Sequence, residues 1–107
     1  STPRPTDPVR TLATALGRRL GVPVRAEWLV KTRATRPQKE MRTLAQKRAN
    51  VAGAFAVRGP VRGLRLLVLD DLYDSGATLE EVTRVLKRAG AAAVMVLTLT
   101  RTIHSDV

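Results

Sequence analysis

The sequence predicts an α/β fold organised around a parallel sheet, and three segments carry that prediction. "LRLLVLD" (64–70) is a nearly unbroken apolar run, "TLEEVTRVLKRAG" (78–90) places apolar side chains at 79, 82, 85, 86 and 89, and "AAVMVLTLT" (92–100) is a second apolar run. Runs of this kind suit strands buried on both faces, and the intervening spacing is that of one helix face. Strand, helix and strand in this order read as a right-handed βαβ unit.

The earlier elements follow in chain order. "VRTLATALGRRLG" has apolar residues at 9, 12, 13, 16 and 20, which predicts an amphipathic helix over 8–20, weakened by Gly17 and stopped by Gly21. "VPVRAEWLVK" mixes β-branched and aromatic residues and predicts a strand near 23–30. "KTRATRPQ" has no period, several cations and a proline, and reads as a loop. "QKEMRTLAQKRANV" sets Met41, Leu44, Ala45 and Arg48 on one face of a second helix ending near Asn50. "AGAFAVRG" is a short strand closed by Gly59 and Pro60. In the helix after residue 77, Thr78 and Glu81 have the spacing of a capping box, and Gly90 is the stop.

At 107 residues the chain is one small domain, expected over 8–107 behind a flexible, proline-rich leader at 1–7. That start, at Ser1 without methionine, suggests an expressed fragment or a frayed leader. The absence of cysteine excludes disulfides, a thiolate nucleophile and cysteine-ligated zinc, and the lone His104 cannot build a metal site unaided. "AAAVMVL" (91–97), the longest apolar run, is far short of the roughly 20 residues of a membrane span. A cytoplasmic protein without a span is the expectation. Its net charge of +10 is unevenly distributed: residues 1–65 carry 15 Lys and Arg against 3 Asp and Glu, residues 66–107 carry 4 against 6. The basic part favours nucleic acid, polyphosphates or an acidic partner, or is a solvated face kept for solubility.

Against this background the acids of "LLVLDDLYDSGATLEEV" (66–82) form a local cluster, with Asp70, Asp71 and Asp74 at the carboxyl end of a strand, where open parallel sheets bind ligands. Ser75, Gly76, Ala77 and Thr78 lead into a helix start, whose N–H groups and dipole can hold a phosphate. The chain has no P-loop lysine motif. Carboxylates instead accept hydrogen bonds from hydroxyls or meet a divalent metal, so a sugar phosphate satisfies both halves of the cluster. The plainer alternative is that Asp70 and Asp71 end a strand and Asp74 starts a turn.

"LLVLDDLYDSGAT" resembles the phosphoribosyl pyrophosphate (PRPP) motif of type I phosphoribosyltransferases: an apolar strand, two acids, two mostly apolar residues and a T/S-G-x-T loop. Upstream, "KTRATRPQKEMRTLAQKRANVAGAFAV" resembles the corresponding segment of the ComF family of natural competence, with Lys31, Arg33, Thr35, Gln38, Arg48, Asn50, Gly53, Ala54 and Phe55 in its pattern. With "LTLTRT" after the last strand, the resemblance covers about residues 9–102. It implies the parallel, Rossmann-like sheet of type I phosphoribosyltransferases, in a chain short enough to lack strands or the base-covering hood. It implies PRPP with Mg²⁺ as ligand, Asp70 and Asp71 on the ribose and, through PRPP, near the metal, and Asp74, Ser75, Gly76, Ala77 and Thr78 around the 5′-phosphate. Lys31 and Arg33 are the pyrophosphate candidates, or solvated loop cations. Asp74 stands with Ser75 where competence proteins usually have two threonines, and resembles the D-T-G of 6-oxopurine phosphoribosyltransferases. There the matching aspartate acts on the purine N7 proton, which makes Asp74 the candidate general acid or base.

Other residues have simpler expectations: Trp28 and Phe55 as core anchors, Tyr73 undecided between core and site, His104 solvated. Two classes of function stand side by side. One is a PRPP-binding transferase domain or sensor; the other is a non-catalytic module that handles single-stranded DNA beside a competence helicase. Homo-oligomerisation is open in both.

Overall fold

The computed structural model describes residues 8–71 and 76–99, with Pro8, Asp71 and Leu99 described by their backbone alone. The expected leader, Tyr73, Asp74, Ser75 and His104 lie outside the described residues. Three helices, α1 (Pro8–Leu20), α2 (Leu44–Val51) and α3 (Ala77–Arg88), are joined by four strands, β1 (Leu29–Lys31), β2 (Phe55–Val57), β3 (Arg65–Asp71) and β4 (Ala93–Leu99). No helix among the described residues is long and apolar enough to cross a membrane.

The last third of the chain folds as its pattern dictates. β3 and β4 pair in parallel from Arg65 opposite Ala93 to Asp71 opposite Leu99, with α3 as their connection. Val61, Val82, Leu86 and Ala91 form the buried core, and Leu66, Val68 and Val94 of the sheet pack onto it beside Trp28, Leu29, Phe55 and Val57. Trp28 and Phe55 thus anchor the core as expected. Strands buried on both faces are not what forms, because α1 lies against β3 but leaves Leu67, Met95 and Leu97 exposed at 45%, 60% and 43%.

The middle of the chain departs further from its local pattern. In place of a strand over 23–30, a 3₁₀ turn at Ala26–Trp28 precedes a three-residue strand, which pairs antiparallel with β2, Leu29 opposite Val57 and Lys31 opposite Phe55. The length of β1 is set by what β2 offers, and the ladder is continued at each end by Thr32 N–H to the Ala54 carbonyl (2.7 Å) and Arg58 N–H to the Trp28 carbonyl (2.7 Å). Gly59 passes so close to the Trp28 ring that a β-carbon there would collide with it. The second helix starts later than its pattern suggests, at Leu44, because Thr43 and Gln46 form a capping box: Gln46 N–H donates to Thr43 Oγ1 (3.1 Å) and Thr43 N–H to Gln46 Oε1 (3.4 Å).

The capping box expected at Thr78 and Glu81 does not form. α3 is entered through Gly76 at φ 84°, in the left-handed region where a side chain would be strained, and Thr78 falls inside the helix. Glu81 is buried and acts across the fold: its carboxylate accepts the Gly53 N–H (3.0 Å) and both ends of the Arg84 guanidinium fork (2.9 and 2.6 Å). These bonds, that from Arg84 first, hold the Glu81 carboxyl below the usual glutamate range against the opposing effect of burial. Depression of a carboxyl in the folded state stabilises the fold above the unfolded-chain value of about 4.3, and this contribution is lost as pH falls through the folded value. Glu81→Gln should therefore cost about 1–3 kcal/mol at neutral pH and flatten the acid limb of stability, measured by chemical denaturation at a series of pH values.

Candidate functional site

Asp70, the last residue of β3 whose side chain is described, is half-buried opposite Thr98, and strand alternation puts it on the face of Leu66 and Val68, which pack against the core. Beyond the strand the chain re-enters the described structure at Gly76, which supplies no side-chain cap to α3. The first turn of α3 therefore carries the positive end of the helix dipole without a cap from its own N-cap residue, and Ala77 is buried beneath it. A β-carbon on Gly76 would meet nothing within 4 Å, so the requirement for glycine is one of backbone conformation rather than space.

Facing this helix start is a cleft of about 330 Å³, lined by Lys31, Thr35, Arg36, Pro37, Gln38, Val51, Phe55 and Thr78. That volume lies at the lower end of the range of small-molecule sites. The cleft brings together two groups proposed from separate parts of the sequence, Lys31 at the end of β1 and Thr78 in the first turn of α3. Arg33 is placed otherwise. Its guanidinium donates to the Ala52 carbonyl (2.6 Å), at the end of α2. Asp71, Asp74 and Ser75 are not described beyond the backbone of Asp71.

The walls of the cleft are held from behind by a polar network. The Asn50 carboxamide grips the loop backbone at both of its polar groups, donating to the Arg36 carbonyl (2.8 Å) and accepting the Arg36 N–H (3.0 Å). Asn50 also donates to Gln38 Oε1 (2.6 Å), and Gln38 in turn donates to the Lys47 carbonyl (3.3 Å). Arg48 of α2 forks onto Glu80 of α3 at 2.9 and 3.1 Å, and its hydrogen bonds hold the Glu80 carboxyl below its ordinary value. Both partners are more than half exposed, so this pair adds orientation more than stability. The sequence signalled Gln38, Arg48 and Asn50 only as members of a pattern; their roles become visible through bonds spanning 9, 32 and 12–14 positions.

Chemically, the arrangement can receive an anion between a helix start and a cationic loop, with at least one carboxylate at the adjoining strand end. Among the described residues no three His, Cys, Asp or Glu gather into a metal-binding group.

The chain is similar in sequence to known proteins. The chain is 38% identical over 78 residues to the DNA utilization protein YhgH of Escherichia coli K12, an alignment covering 73% of the chain and 34% of that protein. It is 36% identical over 84 residues to the protein of that name from Salmonella typhi (78% and 37% covered) and 37% identical over 78 residues to that of Shigella flexneri (73% and 34%). The chain thus spans little more than a third of the length of these curated relatives. No solved structure gives a significant match. Residues 10–106 match the model of the phosphoribosyl transferase domain, and the chain belongs to that family.

Proposed function

We propose that the chain binds PRPP with Mg²⁺, as the phosphoribosyltransferase domain of a ComF-type protein. The observation that carries this reading is the cleft shared by Lys31 and Thr78, which sets a cation from the end of β1 opposite the first turn of α3. In the proposed complex the 5′-phosphate rests on the 74–78 segment and the ribose hydroxyls on Asp70 and Asp71. The pyrophosphate is met by Lys31, at the end of β1 and next to the loop that Arg33 ties to the end of α2. Asp70 and Asp71 would hold Mg²⁺ through PRPP, where it would supply positive charge to the pyrophosphate. The protein's own residues position the sugar and screen its charges, and Asp74 takes or supplies the proton of a nitrogen acceptor.

Calorimetric titration with PRPP and Mg²⁺ tests the reading. Saturable binding is expected, and a folded Asp70→Asn/Asp71→Asn double variant should lose at least tenfold in affinity, because it gives up charge-assisted bonds to the hydroxyls. Asp74→Asn should keep the binding and lose turnover with a purine acceptor. A folded wild-type chain that does not bind PRPP contradicts the proposal.

The charge distribution favours a second reading, a role in the handling of DNA. Residues 1–65 carry a large excess of cations, and Arg10, Arg18 and Arg19 are exposed along α1. The relatives named DNA utilization proteins support a link of this chain to DNA uptake, with single-stranded DNA and a helicase as proposed partners. Affinity for single-stranded DNA should then fall with salt, with a log–log slope of roughly 0.7 for each phosphate neutralised. A flat salt dependence, measured by fluorescence anisotropy, contradicts this reading and leaves PRPP binding untouched.

A further inference from the structure

Two arginines stand in the loop between β1 and the 3₁₀ turn at Gln38–Glu40, and the structure gives them different employment. Arg33 is committed to the protein, since its guanidinium holds the Ala52 carbonyl at 2.6 Å and a second contact reaches the Ala49 carbonyl at 3.5 Å. Moving it to a ligand would strip a partner from the last carbonyls of α2. Arg36 is the opposite case. Its main chain is fixed at both polar groups by Asn50, whereas its side chain is 75% exposed, lines the cleft and is engaged with Glu40 in an ion pair at 3.3 Å. An exposed pair of this kind adds little to stability, so exchanging Glu40 for a stronger anion costs little. A guanidinium also presents a planar fork that matches two phosphate oxygens, which the point charge of Lys31 cannot do.

We infer that Arg36, presented at the cleft by the Asn50 carboxamide, is the guanidinium that grips the diphosphate end of the ligand beside Lys31, and that Arg33 is the strut of their loop. The inference rests on the reading of the cleft as a PRPP site and assigns its second cation. Asn50 is here a positioning residue: it holds the loop backbone at Arg36 and the Gln38 side chain.

The test is titration of the chain with PRPP and Mg²⁺, with ribose 5-phosphate as a ligand lacking the diphosphate. Arg36→Gln, a surface change, should weaken PRPP binding about 10- to 100-fold and leave ribose 5-phosphate binding within about twofold, because it removes charge-assisted bonds to the diphosphate alone. Arg36→Lys should recover only part of the loss. Arg33→Gln should lower the thermal midpoint and, below it, leave PRPP affinity near the wild-type value. Wild-type binding of PRPP that Arg36→Gln leaves unchanged overturns the assignment of Arg36 alone. Failure of the wild-type chain to bind either ligand overturns the reading of the site and this inference with it.

Discussion

The buried carboxylate of Glu81 is the joint through which the two sides of the cleft are referred to each other. It rises from α3, takes the N–H of Gly53 at the end of the α2 turn, and is itself neutralised by Arg84 one turn further along its own helix. A buried carboxylate is tolerable only when its oxygens are satisfied, so the spacing of α2 and α3 is constrained wherever this group stays ionised. Gly53 then passes the constraint on, since the Thr32 hydroxyl donates to its carbonyl (3.4 Å) and the Thr32 N–H to the neighbouring Ala54 carbonyl (2.7 Å), where β1 leaves its ribbon. The start of α3 and the cationic loop are in this way held at opposite sides of one cavity by a single chain of contacts.

Most of the upstream pattern is therefore architecture. Arg33, Gln38, Arg48, Asn50 and Gly53 bond to carbonyls, to one another or to the two glutamates of α3. Lys31, Thr35 and Phe55, from the same pattern, reach the cleft, as does Gln38 beside its structural bonds. A segment rich in arginine looks uniformly suited to phosphate when only charge is read, yet its cations are divided between holding a helix end and facing an opening. Which does which is decided by hydrogen bonds between distant parts of the chain.

That division explains what was legible in the sequence. α1 falls on 8–20 as predicted, and the β3, α3 and β4 succession was readable because each element announces itself by its own period over seven or more residues. β1 was misjudged because a three-residue strand has no period, and its ends are fixed by residues 54–58 across the ribbon. The capping box was assigned to Thr78 and Glu81 on spacing, while the one present at Thr43 and Gln46 went unread, because the same spacing says nothing of which glutamate is needed elsewhere. At the site, Asp70 lies in β3, Gly76 precedes α3 and Lys31, read as a loop residue, ends β1, whereas Arg36 carried no local mark to set it apart from Arg33.

The central claim is that the start of α3 and the loop after β1 are two sides of one PRPP site. The most direct measurement is a ¹H–¹⁵N correlation spectrum of the labelled chain titrated with PRPP and Mg²⁺. The account predicts saturable shifts of the backbone amides of Gly76, Ala77 and Thr78 together with those of Lys31 and Thr35, in one binding isotherm. Shifts confined to the arginines of α1, or movement of one side of the cleft without the other, would contradict it.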